Sequence, residues 1–259
     1  MPVPMATRSI EIARGFVGES LRQPVYWIVT GLFSAFAVPV WFVFDRFSLS
    51  RSRDLILETA LGSLTLMGLV LLLLTGTGIF HEEIRNRTAV TLLSKPVSLL
   101  ELVLGKILGI AFVLLPAYGA MSLVYALLLT RGGADLPVGT LLPGLLLAYA
   151  QVLLLASVGL LLSVHLPQAA VAGGLLGLYS LGNLLGHLRA EATSPWLSGV
   201  LSASRLFIPD LTCYDLTRAA ALGVSIPTSY LCLSLLHAAL YGGAALLAST
   251  WLLERRELY

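Results

Sequence analysis

"LLPGLLLAYAQVLLLASVGLLLSVHLPQAAVAGGLLGLYSLGNLLGHL" runs from Leu141 to Leu188 without one Asp, Glu, Lys or Arg. A helix that crosses the hydrocarbon core of a bilayer needs about 20 mostly apolar residues. This stretch holds two such runs, Leu141 to Val164 and Ala169 to Leu188, parted only by "HLPQ". It therefore reads as two membrane helices joined by a tight turn. Outward from it lie four more runs: Val25 to Phe44, Thr59 to Phe80, Leu99 to about Leu129, and Ser229 to Leu253. The whole chain is 57% hydrophobic and 12% charged, against about 25% charged for a soluble domain. The expected fold class is all-α integral membrane, with six transmembrane helices. Pro39 and Pro116 fall inside spans and are expected to kink them.

The same numbers exclude other classes. A net charge of +2 with no Lys/Arg cluster gives no nucleic-acid footprint. Two cysteines, Cys213 and Cys232, make no disulfide framework, and sequence alone cannot bring their Cα atoms within bonding reach. Four dispersed histidines suggest no metal site. The first residues lack a short apolar core with a cleavage site, so they read as retained rather than as a signal peptide.

Residues 1–24 read as an N-terminal interfacial amphipathic helix, and 25–259 as the six-span domain. Ile10, Ile12, Ala13, Phe16, Val17 and Leu21 roughly share one face, while Arg8, Glu11, Arg14, Glu19 and Arg22 are polar. Orientation follows Lys and Arg near helix ends. Both termini in the cytoplasm puts nine such residues inside and seven outside, a weak bias. The expected location is the cell (inner) membrane, multi-pass. An outer loop, 189–228, is too short for its own core and could form one or two short helices capping the outer face.

The segment 81–97 interrupts this apolar chain. His81 with Arg85, and Glu83 with Arg87, sit four apart, as on a helix turn leaving the membrane. Val90 and Leu93 follow on one side, and Pro96 ends the helix at Lys95. Ser98 and Glu101 match a capping box, with Val97 and Leu102 at the staple positions. The expectation is a span, a short surface helix, a sharp stop and a capped restart.

"EEIRNRTAVTLLSKPVSLLELVLGKILG" resembles the signature region of ABC-2 type transporter permeases, with the core at Thr88 through Ser98 and the tail at Leu104, Gly105 and Lys106. "FIPDLTCYDLT" ahead of a last span ending in "ERREL" is also similar to that family. The resemblance implies a cytoplasmic coupling helix between spans 2 and 3 that docks on a separate ABC ATPase. Carried onto this chain, the docking surface is Glu83, Arg85, Arg87, Thr88, Val90, Leu93 and Lys95. It further implies two ATPase subunits and two permeases, a homodimer being the simplest form. An extracytoplasmic accessory protein is compatible with it. ATP and magnesium would be held by the partner ATPase, with no cofactor in this chain. That fits the absence of GxxxxGK[ST]; the chain is not expected to be an enzyme by itself.

Small residues let membrane helices approach. Gly173 and Gly177, Gly182 and Gly186, and Gly76 are candidates for a permease–permease interface, and equally for packing within one subunit. Among polar groups inside spans, His237 and Asn183 are candidates for a substrate pathway; the alternative is hydrogen bonding within the bundle, where Gln151 and Asn183 can bridge helices. An intramembrane enzyme and a passive scaffold are the competing functions. The first lacks a GxSG serine, and Ser234 lies too close to His237 in sequence to be persuasive.

Overall fold

The computed structural model describes residues 5–46, 52–76, 98–131, 138–191, 208–217, 219, 224 and 226–257. The docking residues expected on 81–97 lie outside these. The helices are α1 (Met5–Arg22), α2 (Pro24–Arg46), α3 (Ser52–Leu71), α4 (Leu99–Arg131), α5 (Val138–Ser163), α6 (Gln168–Glu191) and α7 (Thr228–Glu257). A π-helical turn, Leu72–Gly76, extends α3, and a 3-10 turn covers Leu211–Tyr214. No strand occurs among the described residues. Helices α2 to α7 are each long and apolar enough to cross a membrane. The start of α4 and the α1 residues packed on it mark one end of the bundle, called here the terminal end; the end holding the 3-10 turn is the far end.

The expected spans are present, with small shifts at their ends. Helix α3 begins at Ser52, ahead of the expected Thr59, because a helix does not stop where its apolar residues do. Only a short turn joins α5 to α6: Leu162 O accepts from His165 N at 3.2 Å and Leu166 N at 3.0 Å, and Ala170 N then donates to Pro167 O at 2.9 Å. At the α1–α2 corner Gln23 N donates to Ser20 O at 3.2 Å. Pro24 opens α2, where its missing N–H costs nothing. The Trp27 indole donates to Leu21 O at 2.8 Å, filling a carbonyl left open at the end of α1.

Helices α3, α4 and α5 form the centre. The spans of α3 and α5 are 67% and 61% buried, those of α2 and α6 22% each, and that of α7 17%. The peripheral helices therefore offer broad apolar faces, such as Trp27, Ile28 and Leu32 on α2 and Leu233, Leu236 and Leu240 on α7. Lipid tails are as apolar as leucine, so close fit and hydrogen bonds must hold the centre together. A Cβ on Gly144 would stand 2.7 Å from Leu61 Cδ2, and one on Gly68 2.9 Å from Val152 Cγ2. Tyr125 and Ser63 share a hydrogen bond of 3.0 Å between their hydroxyls.

Helix α4 runs through Pro116, whose absent N–H leaves the Phe112 carbonyl without its helical donor. Two tyrosines supply donors to the carbonyls on either side. Tyr149 Oη donates to Ala111 O at 2.7 Å, and Tyr26 Oη donates to Val113 O at 3.0 Å. The proline is thus braced by α5 and α2.

Candidate functional site

Among the described residues, two places in the bundle combine buried polar groups with close backbone approach, one at each end. At the terminal end, α4 restarts after 81–97. Ser98 N donates to Glu101 Oε2 at 2.9 Å, and Glu101 N donates to Ser98 Oγ at 3.3 Å. This is the reciprocal capping box that the Ser-x-x-Glu spacing predicts.

Glu101 does more than cap. It is only 5% exposed, and its Oε2 lies 3.9 Å from Arg8 Nη1. Its backbone carbonyl accepts from Ser9 Oγ at 3.2 Å. One turn further, a Cβ on Gly105 would meet Ile12 Cβ at 2.8 Å and Ser9 O at 2.9 Å; on Gly109 it would meet Phe16 Cδ1 at 2.9 Å. The apolar face of α1 is therefore seated on a glycine groove of α4, with Ala13 and Phe16 buried. Ile10, expected on that face, is 60% exposed. Lys106, in the same turn of α4 as Gly105, is buried too.

The cap can be separated from the ion pair by substitution. Ser98→Ala is expected to lower stability by about 1 kcal/mol. Glu101→Gln keeps an acceptor for the Ser98 amide and loses only a long, partly buried ion pair of 3.9 Å, a cost expected to stay below that of the lost cap. The midpoint of unfolding in detergent checks the order; a larger cost for Glu101→Gln would mean that Arg8, not the cap, holds the junction.

At the far end, the chain between α6 and α7 turns back into the bundle. Leu211, Tyr214 and Leu216 are all buried. Leu211 fills the space at Gly182, where a Cβ would lie 2.8 Å from its Cγ. Thr212 and Asp210 occupy the space at Gly186. Asp210 caps the 3-10 turn, accepting from Thr212 N at 3.3 Å and Thr212 Oγ1 at 2.6 Å. The Tyr214 hydroxyl and His237 Nδ1 hydrogen-bond at 2.7 Å, and Tyr230 Oη donates to Cys213 O at 2.8 Å. Burial raises the pKa of Tyr214, with added repulsion from Cys213 and Asp210, so the phenol stays protonated. His237 sits about 13 Å into α7. Irregular backbone survives at such depth only when enclosed by protein or beside a cavity. The loop expected to cap the outer face thus turns into the bundle at its far end.

The sequence candidates separate accordingly. Gly182 and Gly186 receive the 3-10 turn of their own chain, whereas Gly173 and Gly177 have nothing within 4 Å of a Cβ. His237 is held by Tyr214, and its ring lies 6.1 Å from that of Tyr241, tilted by 39°. Ser234 Oγ faces Cys213 O at 3.5 Å, away from a nucleophile's arrangement with His237. Asn183 Nδ2 donates to Tyr179 O of its own helix at 2.9 Å. Gln151, expected to bridge helices, forms no hydrogen bond to the described residues. Both cysteines are free thiols. Sequence reasoning missed the Gly105–Gly109 groove and the second role of Glu101; the signals were four-residue glycine spacing and an acid beside a cap.

The fold and these junctions define a polytopic α-helical membrane protein with an N-terminal helix clamped to its third span. A sequence profile of ABC-2 family transporter proteins matches residues 11–201, from α1 through α6. The chain belongs to the ABC-2 transporter family, as the residues around 81–106 suggested, and is a membrane component of a transporter. No curated protein is similar enough to count as a match.

Proposed function

We propose that the chain is the permease subunit of a transporter powered by separate ABC ATPase subunits, two of them serving a pair of permeases. Residues 81–97 form the coupling helix on the cytoplasmic side. Glu83, Arg85, Arg87, Thr88, Val90, Leu93 and Lys95 seat in the ATPase, which binds ATP and magnesium. The observation that carries this reading is the capped restart at Ser98 and Glu101, joined directly to α1. A push on 81–97 would reach α4 and α1 together, because the cap, the Ser9 bond and the glycine groove make one rigid junction. Both chain ends are then cytoplasmic, and the 3-10 turn lies on the outer side of the cell membrane. Gly173 and Gly177, open to the surroundings in one copy, and Gly76 at the end of the π turn, are offered to the second permease.

The test uses the chain purified with its ATPase. Leu93→Asp places a carboxylate where an apolar contact is proposed, and Arg87→Glu reverses a charge. Each is expected to lose the complex, or to leave ATP hydrolysis at least ten-fold (about 1.4 kcal/mol in coupling) less responsive to the permease. Helix content should not change. Normal assembly and stimulation in both variants would remove the docking role.

A further inference from the structure

Inside the far half of the bundle is a cavity of about 70 Å³ between α3, α5, α6 and the segment after the 3-10 turn. Gln151 of α5, Tyr179 of α6 and Asp215 contribute its polar wall, with Thr65 and Asn183 beside them. We propose that this cavity is a binding site for a primary ammonium group. The assignment rests on the fold alone and not on coupling to an ATPase.

The juxtaposition is specific. Gln151 is 3% exposed, and its amide makes no hydrogen bond to the described residues. The amide lines the cavity and is reached from it, so its donors and acceptor are available to whatever fills that space. The volume holds several waters at the roughly 10–15 Å³ each requires, or a small polar group with fewer. Among the described residues no Lys or Arg lines the space, and Asp215 is the sole carboxylate in its wall. One carboxylate oxygen is used locally: Asp215 Oδ1 accepts from Thr217 N at 3.0 Å and Thr217 Oγ1 at 2.6 Å. No hydrogen bond or ion pair to Oδ2 is made by the described residues. Tyr179 and Tyr214 add aromatic rings, and Tyr179 Oη has no hydrogen-bond partner among the described residues.

A lining with one negative charge, amide and hydroxyl oxygens and two aromatic rings favours a cation that carries hydrogen-bond donors. A primary ammonium has three donors, for Asp215, for the Gln151 carbonyl oxygen and for Tyr179 Oη, directly or through one water. A quaternary ammonium has none. The group could arrive on a soluble amine or on the ethanolamine headgroup of a lipid in the adjoining leaflet.

The experiment uses the full chain in nanodiscs and reads the thermal unfolding midpoint. Three conditions are compared: phosphatidylcholine discs, the same discs with added ethanolamine, and phosphatidylethanolamine discs. A rise of about 5 °C, the shift expected near 100-fold saturation, is expected with one of the two primary amines. A response to ethanolamine assigns a soluble amine, and a response only to the lipid assigns the headgroup. Gln151→Met and Asp215→Asn should each cut the rise to about 1 °C. Asp215 is exposed, so its variant folds even where Gln151→Met does not. Equal midpoints in all three conditions, or a rise that survives Asp215→Asn, would overturn the assignment.

Discussion

Gly105→Leu should unseat α1 from α4. The new side chain would begin 2.9 Å from Ser9 O, a backbone atom that cannot swing aside, and 2.8 Å from Ile12 Cβ. Overpacking usually costs about 1–3 kcal/mol, and contact with backbone places this case at the upper end. The loss should extend beyond stability. With α1 displaced, the Ser9 bond to Glu101 and the Arg8 ion pair go with it, so a push on 81–97 would no longer reach both helices. Gly15→Leu is the control, because nothing lies within 4 Å of a Cβ there; it should stay within about 0.5 kcal/mol of wild type. Protease cleavage within α1 reads the difference: fast in Gly105→Leu, slow in Gly15→Leu. Equal cleavage would mean that the glycine groove does not hold the helix.

The second large effect belongs to the far end. Gly182→Leu meets Leu211 and the Pro209 carbonyl, so it should drive the 3-10 turn out of the bundle. That adds the lost Tyr214–His237 bond, about 0.5–1.5 kcal/mol, to an overpacking cost of about 1–3 kcal/mol. Cys213 reports the event. Its thiol is half-buried and donates to Asp210 O at 3.0 Å, so maleimide should reach it slowly in the parent. In a Cys232→Ser background, Gly182→Leu should speed labelling at least ten-fold (about 1.4 kcal/mol in the opening equilibrium). Gly177→Leu, in open space, should leave the rate unchanged and weaken association of two copies instead. An unaltered rate in Gly182→Leu would show that the turn is not seated on that glycine.

The spans were legible because apolar length is a property of the chain itself. Their partners were not. Gly173-x-x-x-Gly177 and Gly182-x-x-x-Gly186 read alike, yet one pair stands open and the other receives Leu211 and Thr212. Spacing says that a backbone can approach and is silent on which one does. The capping box at Ser98 and Glu101 was legible since both partners are three residues apart. The bond from Ser9 to Glu101 was not, for it joins residues 92 apart in sequence. Tyr214 shows the same limit: nothing near it in the chain indicates that it would meet His237. Gln151 looked like a bridge between helices because an amide inside a span usually needs one; here it faces a cavity instead.

The central claim is that 81–97 lies on the cytoplasmic side and is covered there by an ATPase. A cysteine placed at Ser94, with Cys213 and Cys232 replaced by serine, tests it most directly. In intact cells a membrane-impermeant maleimide should leave that cysteine unmodified. Opened membranes stripped of the ATPase should label it fast, and adding the ATPase back should slow labelling at least ten-fold, equivalent to about 1.4 kcal/mol of protection. Labelling from outside intact cells, or a rate that the ATPase does not change, would contradict the account.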